Sequence, residues 1–210
     1  MPHDTVFQMT GSTVRFGTGA TREVGFDFAD RGVKRVLVVV DPHVRVDEVR
    51  CEPTDTSFQK AIEAATAGGF DGYLAVGGGS TIDTAKAANL YATWPAPFRE
   101  YVNPTLGRGP TPPGPLKPLI AVPTTAGTGS ETTAVAVFDF EEEGVKTGIA
   151  NRYLRPTLGI LDPENTRTTP PAVAASAGLD VLSHALESYT ARHFLRREKP
   201  ENPSLRTAYQ

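Results

Sequence analysis

The chain has 210 residues, a net charge of −3 and an isoelectric point near 5.8. A mildly acidic chain offers no basic surface to nucleic acid, and no apolar run reaches the roughly 18 residues that a membrane span needs. We therefore predict no nucleic-acid partner and no membrane partner. The single cysteine, Cys51, excludes a disulfide within the chain. The first residues show no targeting signal, which predicts a cytoplasmic protein, or a mitochondrial matrix protein if a signal is missing.

The N-terminal part of the chain is typical of an α/β fold. Residues 5–16 partly alternate between apolar and polar, as in a hairpin or an edge strand, and residues 21–31 are compatible with a helix. The β-branched run at residues 35–40 ends in Asp41-Pro42, which predicts a parallel strand buried on both faces. At that strand end Asp41 could accept hydrogen bonds from an adenosine ribose, or it could simply cap the turn.

The connection after Asp41 is unusually short. A parallel sheet needs a crossover of about a dozen residues before its next strand. Only residues 43–52 precede the next predicted helix region, and their apolar positions suffice for a short strand but not for a helix and a strand. We expect residues to be missing from this connection relative to a complete doubly wound unit.

The stretch around residues 73–86 carries the strongest signal for a ligand. After a predicted helix over residues 56–68, an apolar run at residues 73–76 enters three consecutive glycines, Gly77, Gly78 and Gly79. Ser80 is then the expected N-cap of a helix over residues 81–93, with Asp83 as its capping-box partner. Glycines that admit a ligand, followed by a helix N-terminus, suit a pyrophosphate. A glycine-rich turn without a ligand is the alternative, since the motif matches neither common nucleotide-binding pattern.

A second strand and loop repeat this arrangement. After a proline-rich loop at residues 94–118, residues 119–123 predict another buried strand, which opens into a loop rich in glycine and hydroxyls. The hydroxyl side chains of this loop could bind phosphate and ribose, or form an ordinary turn. They are Thr124, Thr125, Thr128 and Ser130.

A hairpin and a last strand complete the predicted α/β part. Residues 134–140 and 145–150 predict the hairpin, and its second strand carries Lys146, which could reach an anionic cofactor or be merely solvated. Residues 158–163 predict the last strand. We assign residues 1–165 to a dinucleotide-binding α/β domain and residues 166–210 to the beginning of a helical domain.

The helical part contains a candidate metal site. Thr169-Pro170-Pro171 predicts a helix start, and Gly178 is expected to break that helix from the next one. Asp180 and His184 are four residues apart, so both side chains leave one helix face and could share a divalent metal. A surface hydrogen bond between them is the alternative. No other histidine completes a ligand set, since His193 lies about half a rotation away around the helix.

These blocks together resemble the iron-containing (group III) alcohol dehydrogenase family, which has a dehydroquinate synthase-like fold. The resemblance is carried, in order, by Asp41, residues 77–86, residues 123–131 and residues 178–184. It implies a Rossmann-like N-terminal domain followed by the start of an all-helical second domain. Within the family, further segments are similar to the hydroxyacid-oxoacid transhydrogenase branch; these are residues 52–55, 86–91, 116–123 and 184–190.

The resemblance implies hydride transfer between NAD and a carbonyl/alcohol pair. A divalent metal, which is iron in most members with zinc as the alternative, would be held by Asp180 and His184 and would polarise the substrate oxygen as a Lewis acid. In the transhydrogenase branch, a 4-hydroxybutyrate-like hydroxyacid reduces the bound NAD and 2-oxoglutarate reoxidises it. The residues implied in cofactor binding are Asp41, Gly77, Gly78, Gly79, Ser80, Asp83, Thr124, Thr125, Thr128, Ser130 and Lys146.

Two departures from the family pattern qualify the expected activity. Family members have a longer connection between the Asp41 strand and residues 52–55, and their further helical domain supplies additional histidine ligands. We therefore expect Asp180 and His184 to be half of the metal site, and this polypeptide alone to be weakly active or inactive. An NAD-dependent dehydrogenase of short alcohols and an inactive nucleotide-binding fragment are the alternatives. The resemblance also allows for a homodimer.

Overall fold

The structure is a computed structural model that describes residues 11–40, 52–104, 106–192 and 196. Its strands are β1 (Thr13–Phe16), β2 (Val36–Val40), β3 (Gly72–Gly77), β4 (Leu119–Pro123), β5 (Val135–Phe140), β6 (Val145–Ala150) and β7 (Leu158–Leu161). Its α-helices are α1 (Val24–Asp30), α2 (Asp55–Gly68), α3 (Gly79–Thr93) and α4 (Pro171–Thr190). None of the helices in this part of the chain is both long and apolar enough to cross a bilayer.

A parallel sheet and a separate hairpin make up the framework, which confirms the predicted α/β fold. The sheet has the order β1-β7-β4-β3-β2, and β5 and β6 form the antiparallel hairpin. Gly77 at the end of β3 lies opposite Pro123 at the end of β4. Because parallel strands end at the same edge of a sheet, the glycine loop and the 124–131 loop emerge side by side.

Burial differs sharply between the strands of this sheet. Strand β4 is central and buried along its whole length, as its uninterrupted apolar sequence predicts. Strand β2 is the outer strand of the described sheet, and Leu37 and Val39 pack on one face while Val38 on the other is 47% exposed. Val36 lies on the same face as Val38 and packs against a core cluster, so the prediction that this strand is buried on both faces is wrong at Val38 and holds at Val36.

The hairpin packs on the helices through aromatic side chains. Phe138 lies in one apolar cluster with Phe58 of α2, and their ring centroids are 5.2 Å apart. Phe98, from the proline-rich loop, also contacts the Phe138 ring, and their ring centroids are 5.4 Å apart. The hairpin predicted from residues 134–150 is thus confirmed. Helix α2 packs on it through Phe58 and shares a second core cluster with the sheet through Ala65.

Most predicted elements are found with small changes at their ends. The predicted helix at residues 56–68 corresponds to α2, which starts with a capping box between Thr54 and Ser57. Residues 21–31 form a short 3-10 turn that leads into α1, and β1 occupies the described end of the stretch predicted as a strand. The short strand predicted within residues 43–52 lies outside the described residues, apart from Glu52.

Helix α4 corrects a further prediction. It begins at Pro171 as expected, but it continues through Gly178 to Thr190 without a break. A glycine inside a helix costs only about 1 kcal/mol relative to alanine, which lowers helix propensity without ending the helix. Asp180 and His184 therefore stand on one continuous helix.

Tyr73 provides a first prediction about stability. Its side chain is fully buried in β3, its hydroxyl has no hydrogen-bond partner among the described residues, and burial raises its pKa to about 12. Because an unpaired buried hydroxyl carries a desolvation cost, Tyr73→Phe is expected to stabilise the protein by about 1 kcal/mol in urea denaturation. A loss of stability in this variant would contradict the description of the hydroxyl as unpaired.

Candidate cofactor and metal site

The turn from β3 into α3 differs in detail from the predicted one. Gly78 is the N-cap, in an extended conformation (φ −74°, ψ −174°), and α3 begins at Gly79. Ser80 thus lies in the first helical turn, and the predicted capping box with Asp83 is wrong. A glycine N-cap has no side chain to offer, so the first N–H groups of the helix remain available to a ligand.

The three glycines meet different surroundings. A Cβ atom on Gly77 would lie 2.7 Å from Thr81 Cβ, and one on Gly79 would lie 2.8 Å from Thr128 Cγ2. On Gly78 the nearest neighbour would be Thr125 Oγ1 at 3.4 Å, which is an acceptable contact. Gly77 and Gly79 are therefore required by the packing of the protein itself, whereas Gly78 leaves space that a phosphate group could occupy.

A cavity of about 430 Å³ opens beside the start of α3. It lies between this helix, the 124–134 loop, the β5–β6 hairpin and α4. The predicted site residues that line it are Gly79, Ser80, Asp83, Thr128, Ser130, Lys146, Asp180 and His184. Gly77, Gly78, Thr124 and Thr125 are not among its lining residues, and Asp41 lies outside the described residues.

Asp83 points into the protein rather than toward the helix start. One carboxylate oxygen accepts hydrogen bonds from Lys86 Nζ at 3.1 Å and from the Ser130 hydroxyl. The other accepts from the backbone N–H of Val137 at 3.0 Å. The side chains of Asp83 and Ser130 are therefore engaged with the protein as well as lying at the cavity wall.

Lys86 is a central residue that the predicted site did not include. Its side chain is fully buried, and burial lowers its pKa while the charge of Asp83 opposes that change. Besides Asp83, its ammonium donates to Ser130 Oγ at 2.7 Å, Thr133 Oγ1 at 3.2 Å and the carbonyl of Val135 at 2.7 Å. The spacing Asp-x-x-Lys on a helix was the available signal, but its partners are distant in sequence.

Lys146 lines the cavity with a solvent-exposed side chain. Its side chain is 58% exposed, and Nζ is 3.9 Å from both Glu52 Oε1 and Asp139 Oδ1. At this exposure such pairs contribute little to stability. The ammonium thus remains able to turn toward an anionic ligand in the cavity.

Helix α4 brings the candidate metal ligands to the same cavity. Asp180 Oδ1 and His184 Nε2 are 3.8 Å apart, and their side chains are 42% and 51% exposed. Gly127 allows the close approach of this helix, since a Cβ atom there would lie 2.7 Å from the carbonyl oxygen of Ala177. The prediction that both residues share one face is thus in agreement with the structure.

This pair fits part of a metal site. A carboxylate oxygen and an imidazole nitrogen at this distance can bind one divalent ion, and both open into the cavity. Among the described residues, no group of three or more His, Cys, Asp or Glu side chains could hold a metal. The described part of the chain therefore offers these two side chains as candidate ligands of one ion.

Asp162, at the end of β7, is a second buried acid that sequence reasoning did not single out. Only 4% exposed, it accepts hydrogen bonds from the backbone N–H groups of Gly19 and Thr21 at 3.0 and 3.1 Å, and from the Thr21 hydroxyl at 2.8 Å. These bonds, led by that of the Thr21 N–H, lower the pKa of Asp162 from 3.8 to about 2. It joins the turn after β1 to the carboxyl edge of the sheet.

This pKa predicts a pH-dependent contribution to stability. Because the folded pKa lies below the ordinary value of 3.8, the contribution of Asp162 is complete above that pH and is lost as the pH falls toward about 2. The stability difference between the unaltered chain and Asp162→Asn is expected to be constant near neutral pH and to shrink below about pH 4 in urea denaturation. A difference that does not change with pH would contradict this role.

Comparisons with known proteins identify the family of this chain. A family model for iron-containing alcohol dehydrogenase matches residues 42–163. The mitochondrial hydroxyacid-oxoacid transhydrogenases of Bos taurus and Homo sapiens are 52% and 50% identical over 230 positions, which cover 99% of this chain and 49% of each relative. The chain thus spans about half the length of these curated relatives. Because it has only 210 residues, the alignments include positions that it lacks, and their assignment to residues 43–52 stays a prediction.

Solved structures show the same fold. A sulfoacetaldehyde reductase from Bifidobacterium kashiwanohense, solved in complex with NAD+, has a TM-score of 0.79 and 28% identity over 89% of this chain and 54% of its own. A 1,3-propanediol oxidoreductase has a TM-score of 0.79 and 29% identity, covering 88% of this chain and 53% of its own. The chain therefore belongs to the iron-containing alcohol dehydrogenase family.

Proposed function

We propose that this chain provides the NAD-binding part, and the first metal ligands, of a hydroxyacid-oxoacid transhydrogenase. The observation that carries the proposal is the single cavity at which the start of α3, the 124–134 loop, Lys146, Asp180 and His184 meet. The names of the curated relatives support this reaction class, and the neighbour solved with NAD+ supports the cofactor. NAD would carry the hydride, and a divalent metal would supply the Lewis acid.

Each group at the cavity then has a proposed role in binding. The first N–H groups of α3, at Gly79 and Ser80, would bind the pyrophosphate together with the partial positive charge of the helix end. Thr128 lies against Gly79 at the cavity wall, where its hydroxyl could donate to a phosphate or ribose oxygen. Lys146 would balance negative charge, and Asp180 and His184 would hold the metal ion.

The proposed reaction and the two alternative functions differ in what happens to the NAD. The proposed cycle oxidises a hydroxyacid such as 4-hydroxybutyrate and reduces 2-oxoglutarate, so the same bound NAD is reduced and then reoxidised. An NAD-dependent dehydrogenase of short alcohols would instead release NADH without an oxoacid. An inactive fragment would bind NAD and catalyse neither reaction.

The domain division, the assembly and the location are part of the same proposal. Helix α4 has no buried residue, and its exposed Leu179, Leu182, Leu186 and Tyr189 support the assignment of residues 166–210 to the start of a helical domain. The relatives are named as mitochondrial, which supports the mitochondrial alternative over the cytoplasmic prediction. A homodimer stays a prediction, as do iron over zinc and the absence of membrane and nucleic-acid partners.

Calorimetric titration of NAD into the whole chain tests the cofactor site. The decisive variant is Gly78→Ala, because the added methyl group has space in the protein itself, and Gly78 directly precedes Gly79 and Ser80, which line the cavity and are proposed to bind the pyrophosphate. We expect this variant to keep its stability and to lose about tenfold in NAD affinity, which corresponds to about 1.4 kcal/mol.

A matched control is Gly144→Ala in the hairpin turn, where an added Cβ has open space but the backbone has φ +64°. That variant should lose stability through strain and keep its NAD affinity, since Gly144 lies away from the cavity. Unchanged NAD affinity in Gly78→Ala would argue against the glycine loop as a phosphate site. Because this chain supplies only the first metal ligands, we expect little turnover of 4-hydroxybutyrate with 2-oxoglutarate in the presence of iron or zinc, and turnover at ordinary enzyme rates would contradict that expectation.

A further inference from the structure

The outer edge of strand β5 pairs with no full strand of the described residues, although the N–H of Asp139 donates to the carbonyl of Pro53 at 2.8 Å and Thr54 forms an isolated bridge with Asp139. On this edge, the carbonyl of Val135 accepts a hydrogen bond from Lys86 Nζ at 2.7 Å, and the N–H of Val137 donates to Asp83 Oδ2 at 3.0 Å. A neighbouring strand would offer the same two partners, one donor and one acceptor. Two side chains of α3 thus take the place of a strand at Val135 and Val137, while residues 53–54 pair with the same edge at Asp139.

The same two side chains also hold the 124–134 loop. Lys86 donates to Ser130 Oγ at 2.7 Å and to Thr133 Oγ1 at 3.2 Å, while the Ser130 hydroxyl donates to Asp83. Asp83 and Lys86 are three residues apart on α3, so their bonds join this helix, the loop and the hairpin at one buried point. We call these two residues the helix junction.

The helix junction borders the cavity, since Asp83 is one of its lining residues and Lys86 bonds to Asp83. The loop that it holds contributes Thr128 and Ser130 to the cavity wall, and the hairpin contributes Val135, Val137 and Lys146. The distance of these groups from the N-terminus of α3 therefore depends on the bonds of Lys86 and Asp83. Both carboxylate oxygens of Asp83 already accept hydrogen bonds from the protein.

We propose that Asp83 and Lys86 are positioning residues, which fix the loop and the hairpin at the spacing that NAD requires and do not themselves bind it. The inference rests on the proposed function for its ligand, and it replaces the predicted role of Asp83 in cofactor binding. The Lys86 ammonium supplies the attraction between the three elements, because it is a full positive charge that donates to oxygens from each of them.

The test compares NAD affinity and amide hydrogen exchange in the whole chain and its variants. Lys86→Met removes the junction, and Thr133→Val removes one of its bonds at an exposed position where valine preserves the shape. The matched control is Ile160→Ala in β7, a fully buried side chain outside the cavity, whose loss lowers stability alone.

The dissociation constant for NAD should rise about tenfold in Lys86→Met and about threefold in Thr133→Val, and it should not change in Ile160→Ala. Amide hydrogen exchange of residues 128–137 should be faster in Lys86→Met and Thr133→Val than in the unaltered chain. In Ile160→Ala the exchange of these residues should not change. Equal losses of NAD affinity in Lys86→Met and Ile160→Ala would overturn the proposal, because they would reflect stability alone.

The two readouts separate this inference from the proposed function. If the unaltered chain does not bind NAD, the proposed cofactor site fails, and hydrogen exchange in the variants alone tests the helix junction. Faster exchange confined to residues 128–137 supports the junction, whereas a uniform increase along the chain overturns it. If Lys86→Met does not fold, Thr133→Val carries the test. Unchanged exchange and unchanged affinity in Thr133→Val would then overturn the proposal.

Discussion

The Lys86→Met variant is expected to lose about 3–5 kcal/mol of unfolding free energy, because a buried charge keeps its desolvation cost after its partner is removed. In this variant Asp83 would lose its bond to Nζ, and the carbonyl of Val135 would lose a donor at 2.7 Å. Urea denaturation followed by circular dichroism measures the loss. A change this large would place Lys86 among the most important single residues for stability.

Two further variants isolate the cause. Lys60→Met makes the same chemical change at an exposed position of α2, and it should alter stability by less than about 0.5 kcal/mol. Combining Asp83→Asn with Lys86→Met removes both charges, so the combined loss should be smaller than the sum of the single losses by about 1–3 kcal/mol. Strict additivity would show that the two side chains do not act as a pair.

The Gly77→Ala variant is expected to lose about 1–3 kcal/mol of unfolding free energy and most of its NAD affinity. Its new methyl group would lie 2.7 Å from Thr81 Cβ and closer still to the Thr81 hydroxyl. Thr81 is buried and short, so it cannot turn away, and β3 and α3 must move apart. That displacement would change the place where the helix N–H groups meet a phosphate.

Gly78→Ala is the matched comparison for this prediction. At that position the nearest atom would be 3.4 Å away, and the backbone conformation is one that alanine adopts readily. Urea denaturation should therefore give a change of less than about 0.5 kcal/mol for Gly78→Ala. Equal losses of stability in the two variants would contradict the packing described for the glycine loop.

Local patterns in the sequence were sufficient for most of the framework. The apolar run of β4, the hairpin and the glycine-rich turn into α3 were all predicted from residues close to one another in the chain. The spacing of Asp180 and His184 likewise determined that they share a helix face. Such features follow from backbone periodicity and from where glycine and proline permit a turn.

Errors arose where the outcome depended on the surroundings of a residue. Gly178 was expected to end a helix that in fact continues, because a modest propensity cost does not stop a helix with good helix formers on both sides. Ser80 was expected to be an N-cap, but Gly78 takes that position. Val38 was expected to be buried, but β2 is an edge strand of the described sheet.

The sequence by itself determined the family resemblance and the order of the elements, and it predicted a place where a dinucleotide would bind. Only the tertiary structure decided what Asp83 and Lys86 do, since their partners lie 44 to 54 residues further along the chain. A buried charge is stable only when oxygens or N–H groups lie within hydrogen-bond distance of it, and here those groups come from distant parts of the chain. No local sequence pattern specifies such contacts. The glycine loop could therefore be predicted from neighbouring residues, whereas the helix junction could be found only in the folded protein.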